Sequence, residues 1–270
     1  MIITSPHNPR LKELRRLQTK RGRTTTGKFI AEGEDLIAAA QRAERDAIDG
    51  YRLAGTELGG RDFVDLDATA LATVSTLGSG TRVIGVYEQR WMPAPEGPLC
   101  VYLHGVSDPG NVGTVLRSAQ AFGASCVAFG PTSADPYSPK AVRASMGAIF
   151  GVSLARVNDV TELPGELVAL VAGAGEPLHT LHADRARLHA GPLEEEPARG
   201  QAPAQERSLT LLIGAEREGL PQELVAACER VAHIPIASES LNAAMAATVA
   251  LYELSRGASD APASSRVRAS

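Results

Sequence analysis

The sequence predicts an α/β fold: an open, mostly parallel sheet in the C-terminal part of the chain, preceded by a small α/β unit. Three observations point there. Leu99-Cys100-Val101-Tyr102-Leu103 is a near-continuous apolar run, the pattern of a parallel strand covered on both faces. From that run onward, strand-like and helix-like stretches alternate, as in layered α/β proteins. Just before it, Pro93, Pro95, Gly97 and Pro98 interrupt the chain and mark a linker.

The 270 residues are enough for two domains, read here as 1–92 and 96–257. The Ala/Ser-rich residues 258–270 are expected to be a disordered tail. An apolar content of 44% with 21% charged residues excludes a wholly disordered chain. No apolar run approaches the roughly 20 residues of a membrane span, and Met1 to His7 lack the features of a signal peptide. No membrane association and a cytoplasmic location are therefore expected. Cys100, Cys126 and Cys228 form neither a disulfide framework nor a zinc ribbon and read as small buried residues. His179, His182 and His189 are too loosely spaced to suggest a metal, and none is expected.

In the first unit, residues 8–21 read as a helix with Leu11, Leu14 and Leu17 on one side and Lys12, Arg16 and Lys20 four apart on another. Residues 1–30 hold eight basic residues against one acid, Glu13, so this segment is +7 within a chain of net −4. Like charges at that spacing repel, whereas a polyanion lying along them reverses the sign. Lys12, Arg16 and Lys20 are therefore candidate nucleic-acid contacts. Phe29-Ile30-Ala31 reads as a strand, Glu34 to Arg45 as a helix, and Arg82 to Tyr87 as a second strand.

In the second unit, Val112, Val115, Leu116, Ala119 and Phe122 follow the first strand at helical spacing. Further strands are expected at 126–129, 167–172, 209–213 and 231–236. A closing helix is expected from Leu241 to about Arg256, with Leu241, Ala244, Met245, Thr248, Leu251 and Tyr252 as its apolar face. Residues 179–208 read as a long exposed loop.

Ligands in open parallel sheets bind beyond the carboxyl ends of the strands. Three segments lie at or beyond the ends of predicted strands: His104 to Asn111, Gly214 to Pro221, and Ile234 to Asn242. None contains a dinucleotide or P-loop fingerprint.

Together these segments resemble the three motifs of the SpoU (TrmH) family of RNA 2′-O-ribose methyltransferases, of the SPOUT superfamily. The first is similar to Pro109-Gly110-Asn111-Val112-Gly113-Thr114-Val115-Leu116-Arg117-Ser118, and the second to Ile213-Gly214-Ala215-Glu216 closed by Gly219-Leu220. The third is similar to Ile234-Pro235-Ile236 with Ser240-Leu241-Asn242. Asp135 to Lys140 and Arg143 to Gly147 also resemble a family segment. Ser5-Pro6-His7-Asn8-Pro9 and Gly27 to Gly33 resemble the substrate-binding domain that precedes the catalytic one in many members. Two departures stand out. Arg217 and Glu218 occupy positions where many members have a glycine and a variable residue, and Ala237-Ser238-Glu239 is a short connection without the usual glycine.

The resemblance implies a C-terminal trefoil knot, S-adenosyl-L-methionine as cofactor, a homodimer built around the last helix, and RNA as substrate. Ribosomal RNA is favoured over tRNA because members acting on tRNA often lack a full N-terminal domain. A tRNA methyltransferase and a non-catalytic RNA-binding protein of the same fold are the alternatives. The implied reaction residues are Asn111, Arg117, Glu216, Ser240 and Asn242. Gly214, with the backbone of Leu212, Ile234, Ile236 and Leu241, is expected to hold the cofactor, and Lys140 and Arg143 to meet phosphates. A ribose hydroxyl needs a proton acceptor. Because arginine stays protonated, phosphate positioning suits Arg117 better than unaided base chemistry.

Overall fold

A computed structural model describes residues 2–76, 80–181 and 208–259. The N-terminal part forms a mixed five-stranded sheet of β1 (Ile2–Ile3), β2 (Lys28–Glu32), β3 (Asp49–Leu53), β4 (Val64–Leu66) and β5 (Val83–Glu88), in the order β1-β4-β3-β5-β2. Helices α1 (Pro9–Leu17), α2 (Lys20–Thr26), α3 (Glu34–Arg42) and α4 (Ala68–Ala72) accompany it.

The single helix expected over 8–21 is two helices. Asn8 caps α1 by accepting from the Arg10 amide, Pro9 opens it, and Leu11, Leu14 and Leu17 are buried. Thr19 then leaves helical geometry and accepts from the Gly22 amide as the cap of α2. The second helix folds against the first at Gly22, where a Cβ would lie 2.0 Å from the Arg16 carbonyl oxygen. Lys12 and Arg16 are thus exposed on α1 and Lys20 on α2, a patch across two helices rather than a stripe along one. The helix expected to Arg45 stops at Arg42, because Glu44 turns to a positive φ of 52°.

The C-terminal part forms a seven-stranded sheet in which every neighbouring pair is parallel. Its strands are β6 (Leu99–Leu103), β7 (Cys126–Phe129), β8 (Ser153–Arg156), β9 (Glu166–Leu170), β10 (Glu176–Pro177), β11 (Leu209–Ile213) and β12 (Arg230–His233), ordered β10-β12-β9-β11-β6-β7-β8. Its helices are α5 (Pro109–Ala121), α6 (Pro139–Ala144), α7 (Gln222–Ala226) and α8 (Ala243–Ser259). Strand β12 ends at His233, two residues before Pro235, whose missing N–H cannot serve a ladder. The closing helix begins at Ala243, so Leu241 precedes it. It reaches Ser259, two residues into the expected tail. The rest of that tail, and His182 and His189 with most of the expected 179–208 loop, lie outside the described residues. Leu178 just before that loop and Leu181 at its start are buried in the core.

The two sheets are joined by a shared core rather than hung on a linker. Phe29 of β2 packs on Tyr137 and Phe150 with ring centroids 4.7 and 5.8 Å away, and Tyr87 of β5 meets Phe150 at 4.9 Å. Arg23 of α2 pairs with Asp135 at 2.7 Å, with its side chain only 4% exposed. The linker itself is held, since the Met92 amide donates to the Leu154 carbonyl of β8 at 2.7 Å. Cys100 and Cys126 are free, buried register partners on β6 and β7. Among the described residues, no helix is long and apolar enough to cross a membrane.

Candidate active site

The turns that follow β9, β11 and β12 converge on a cleft of about 310 Å³, beyond the carboxyl ends of neighbouring parallel strands, where such sheets bind ligands. Leu170 ends β9, Val171 and Ala172 come from the turn after it, and Gly214 to Gly219 from the turn after β11. Ile234, Ile236, Ser240 and Leu241 come from the connection into α8, with Ala243 and Ala246 on the helix. The volume is at the lower end of small-molecule sites. Of the expected cofactor residues, Gly214, Ile234, Ile236 and Leu241 line this cleft. Leu212 does not: its side chain is buried with Cys100 and Tyr102 on the opposite face, and its backbone pairs with both β6 and β9.

Three motif segments meet in one polar chain. The Asn242 side-chain oxygen caps α8 by accepting from the Ala244 and Met245 amides at 2.9 and 3.4 Å. That forces its Nδ2 outward, where it donates to Asn111 Oδ1 at 3.2 Å. With its oxygen so engaged, Asn111 turns its own Nδ2 to Glu216 Oε1 and donates to it. An amide can play each role only one way round, so the backbone N–H groups of α8 set both amide orientations and leave a Glu216 carboxyl oxygen as the acceptor at the end of the chain. Asn111 is itself held at the start of α5, where Asp108 accepts from its amide at 3.3 Å.

Arg117 is not part of this chain. It is exposed on α5, nearly two turns beyond Asn111, and makes no hydrogen bond or ion pair with any described residue. Ser240 is exposed and lines the cleft. Lys140 is exposed and paired with Asp108 at 2.8 Å; this pairing and the α5 amides hold the Asp108 carboxyl below its usual range. Arg143 donates to Thr76 Oγ1 of the N-terminal part at 3.0 Å. His104, at the end of β6, has its pKa lowered by burial.

Sequence reasoning missed the wall formed by Leu170, Val171 and Ala172. The signal was available, since these residues end a predicted parallel strand two places from β6. It also misjudged the outer face of α8. Ala243, Ala244, Ala247, Ala250, Leu251 and Leu254 are buried, whereas Met245, Val249 and Tyr252 are 61%, 40% and 52% exposed. Helices α5 and α8 run side by side in the same direction, with Ser118 and Thr248 hydrogen-bonded at 2.6 Å and Phe122 against Tyr252.

Comparison with known proteins places this geometry. Residues 98–252 match the model of the SpoU rRNA methylase family, and residues 8–51 match an MRM3-like substrate binding domain. The chain is 27% identical to the 23S rRNA (guanosine(2553)-2′-O)-methyltransferase RlmP of Bacillus subtilis, over 93% of this chain and 98% of that protein. It is 34% identical over 174 residues to the 23S rRNA (uridine(2479)-2′-O)-methyltransferase of Streptomyces viridochromogenes, covering 61% of this chain and 55% of that one. A crystal structure of an AdoMet-bound rRNA methyltransferase from Sinorhizobium meliloti is similar with a TM-score of 0.75 and 28% identity, over 94% of this chain and 97% of that one. Since the family match runs through the cleft and all of the Glu216–Asn111–Asn242 chain, the protein belongs to the SpoU rRNA methylase family.

Proposed function

We propose that the protein transfers the methyl group of S-adenosyl-L-methionine to a ribose 2′-hydroxyl of RNA, with large-subunit ribosomal RNA as substrate. The observation that carries this reading is the fixed Glu216–Asn111–Asn242 chain on the edge of the cleft. The names of the B. subtilis and S. viridochromogenes relatives support the substrate and the AdoMet-bound structure supports the cofactor.

The cleft fits the cofactor chemically, with apolar walls from Ile213, Ile234, Ile236 and Leu241 and a charged rim at 216–218. When bound, the cofactor supplies an activated methyl group. The chain's own residues then have three tasks. Gly214 and the backbone around Ile234, Ile236 and Leu241 hold the nucleoside. Glu216, oriented by Asn111, accepts a hydrogen bond from the target hydroxyl, the step an unactivated ribose oxygen needs. Ser240 completes the polar lining, and Asn242 holds Asn111 in place.

Residues 1–92 serve as the RNA-docking unit and 96–257 as the methyltransferase unit. Lys12, Arg16 and Lys20 meet phosphates from the first, Lys140 and Arg143 from the second. The chain after β11 forms the trefoil knot, a reading supported by the likeness to rRNA methyltransferase structures. The working form is a homodimer in a cytoplasmic setting. Met245, Val249 and Tyr252 expose an apolar stripe on α8 that a second copy would cover, and Arg117 on the neighbouring α5 would complete the partner's site by positioning phosphate.

Mapping 2′-O-methyl groups on RNA from cells with and without the gene tests the reading. One large-subunit site should disappear on deletion. Intact rRNA with a missing tRNA methyl group would overturn the substrate assignment.

A further inference from the structure

The turn between Gly214 and Gly219 is closed by a reciprocal pair of backbone hydrogen bonds. The Ala215 amide donates to the Gly219 carbonyl at 3.2 Å, and the Gly219 amide returns a bond to Ala215 at 2.9 Å. Gly219 is at φ +67°, and a Cβ on Gly214 would lie 2.2 Å from the Gly219 carbonyl carbon. Only Glu216, Arg217 and Glu218 are left at the tip, and all three line the cleft. Among the described residues, they are the only charged groups in its lining, and Arg217 is the only cation. Arg217 is exposed and makes no hydrogen bond or ion pair with any described residue.

We infer that this tip reads the amino-acid end of the methyl donor, Arg217 pairing with its carboxylate and Glu218 with its ammonium group. The inference rests on the cofactor assigned above. At that end the donor carries an ammonium, a sulfonium and one carboxylate, the inverse of the two carboxylates and one guanidinium on the turn. The planar guanidinium fork matches a carboxylate in two parallel hydrogen bonds. An RNA phosphate suits the tip less well, because Glu216 and Glu218 flank Arg217 and repel a polyanion.

Calorimetry on the full chain tests it, using S-adenosylmethionine and its decarboxylated analogue, which lacks only the carboxylate. The parent protein should prefer the intact donor. Arg217→Ala should weaken the intact donor about tenfold, the effect of losing a hydrogen-bonded charged partner, and leave the analogue unchanged. Arg217→Lys should recover part of the loss, and Glu218→Gln should weaken both ligands, since both keep the ammonium group. Equal loss for both ligands in Arg217→Ala, or none for either, overturns the inference while leaving the cofactor assignment intact. A loss confined to RNA affinity also overturns it and gives Arg217 to the substrate. A folded parent protein that binds neither ligand overturns the cofactor assignment and this inference with it.

Discussion

Arg23 and Asp135 form a largely buried ion pair at 2.7 Å that joins the second N-terminal helix to the segment entering α6. The same guanidinium donates to the Leu17 and Gln18 carbonyls at 3.0 and 2.8 Å, so one side chain closes α1, α2 and the catalytic sheet together. Arg23 belongs to the basic N-terminal cluster by sequence, but this burial withdraws it from any RNA-facing surface. Removing one partner of a buried pair leaves an uncompensated charge. Arg23→Met is therefore expected to lower stability by about 3 kcal/mol, the lower end for such pairs because Asp135 keeps 16% exposure. Urea unfolding measures this; a loss below about 0.5 kcal/mol, the range of ordinary surface changes, would show that the pair does not join the sheets.

The shared aromatic core makes a second prediction. A fragment of residues 96–257 loses Phe29 and Tyr87, which cover Tyr137 and Phe150. It should melt well below the full chain and bind hydrophobic dye. Thermal unfolding at the same temperature as the full chain would contradict a common core.

Glu32 gives a pH prediction. Burial works against its charge, but bonds from Ser75, Thr76 and Thr81 outweigh that and leave its pKa below the usual 4.5. A lowered folded pKa contributes stability that is present above the unfolded value and lost as pH falls through the folded one. Glu32→Gln should cost roughly 1–3 kcal/mol at neutral pH, and the gap to the parent should shrink below pH 4.5. A gap that is constant with pH would remove the carboxylate from this account.

For RNA docking, Lys12→Ala, Arg16→Ala and Lys20→Ala combined should weaken binding and flatten its salt dependence. Each lost phosphate contact should reduce the log–log slope by roughly 0.7 to 0.9. Turnover at saturating RNA should stay unchanged, since uniform binding affects KM alone. An unchanged salt slope would assign these charges to a solvated face.

The strands of the large sheet were legible where apolar residues run together, as in Leu99–Leu103 and Leu209–Ile213. They were not legible where neighbours do the work: β8, Ser-Leu-Ala-Arg, and β3, Asp-Gly-Tyr-Arg-Leu, carry too few apolar residues to announce themselves. The break at Thr19 was hidden because Lys20 continues the charge spacing of Lys12 and Arg16 across it. Much of the cleft was readable, since Gly214, Glu216, Ile234 and Ile236 lie at or beyond the ends of predicted strands. Leu212 was not, because face alternation sends it to the other side of the sheet. Arg117 shows a different gap. Its place by motif puts it at the reaction, yet it is exposed on α5 and outside the Glu216–Asn111–Asn242 chain, and the proposed homodimer is one arrangement that reconciles the two.

That leads to a prediction about assembly. Arg117→Ala should keep cofactor affinity while cutting single-turnover methyl transfer about 100-fold, the scale of a reactant left misplaced when a positioning group is lost. Mixing inactive Arg117→Ala and Asn111→Ala proteins should restore part of the activity if sites are completed between copies. Sedimentation showing an active monomer at every working concentration would contradict the dimer.

The most direct test of the central claim is nucleoside analysis after incubating the full chain with deproteinised 23S rRNA and methyl-labelled S-adenosylmethionine. The account predicts label in one 2′-O-methylated nucleoside, with Glu216→Gln reduced at least about 100-fold. Label in a base methyl group, or undiminished 2′-O-methylation by Glu216→Gln, would contradict it.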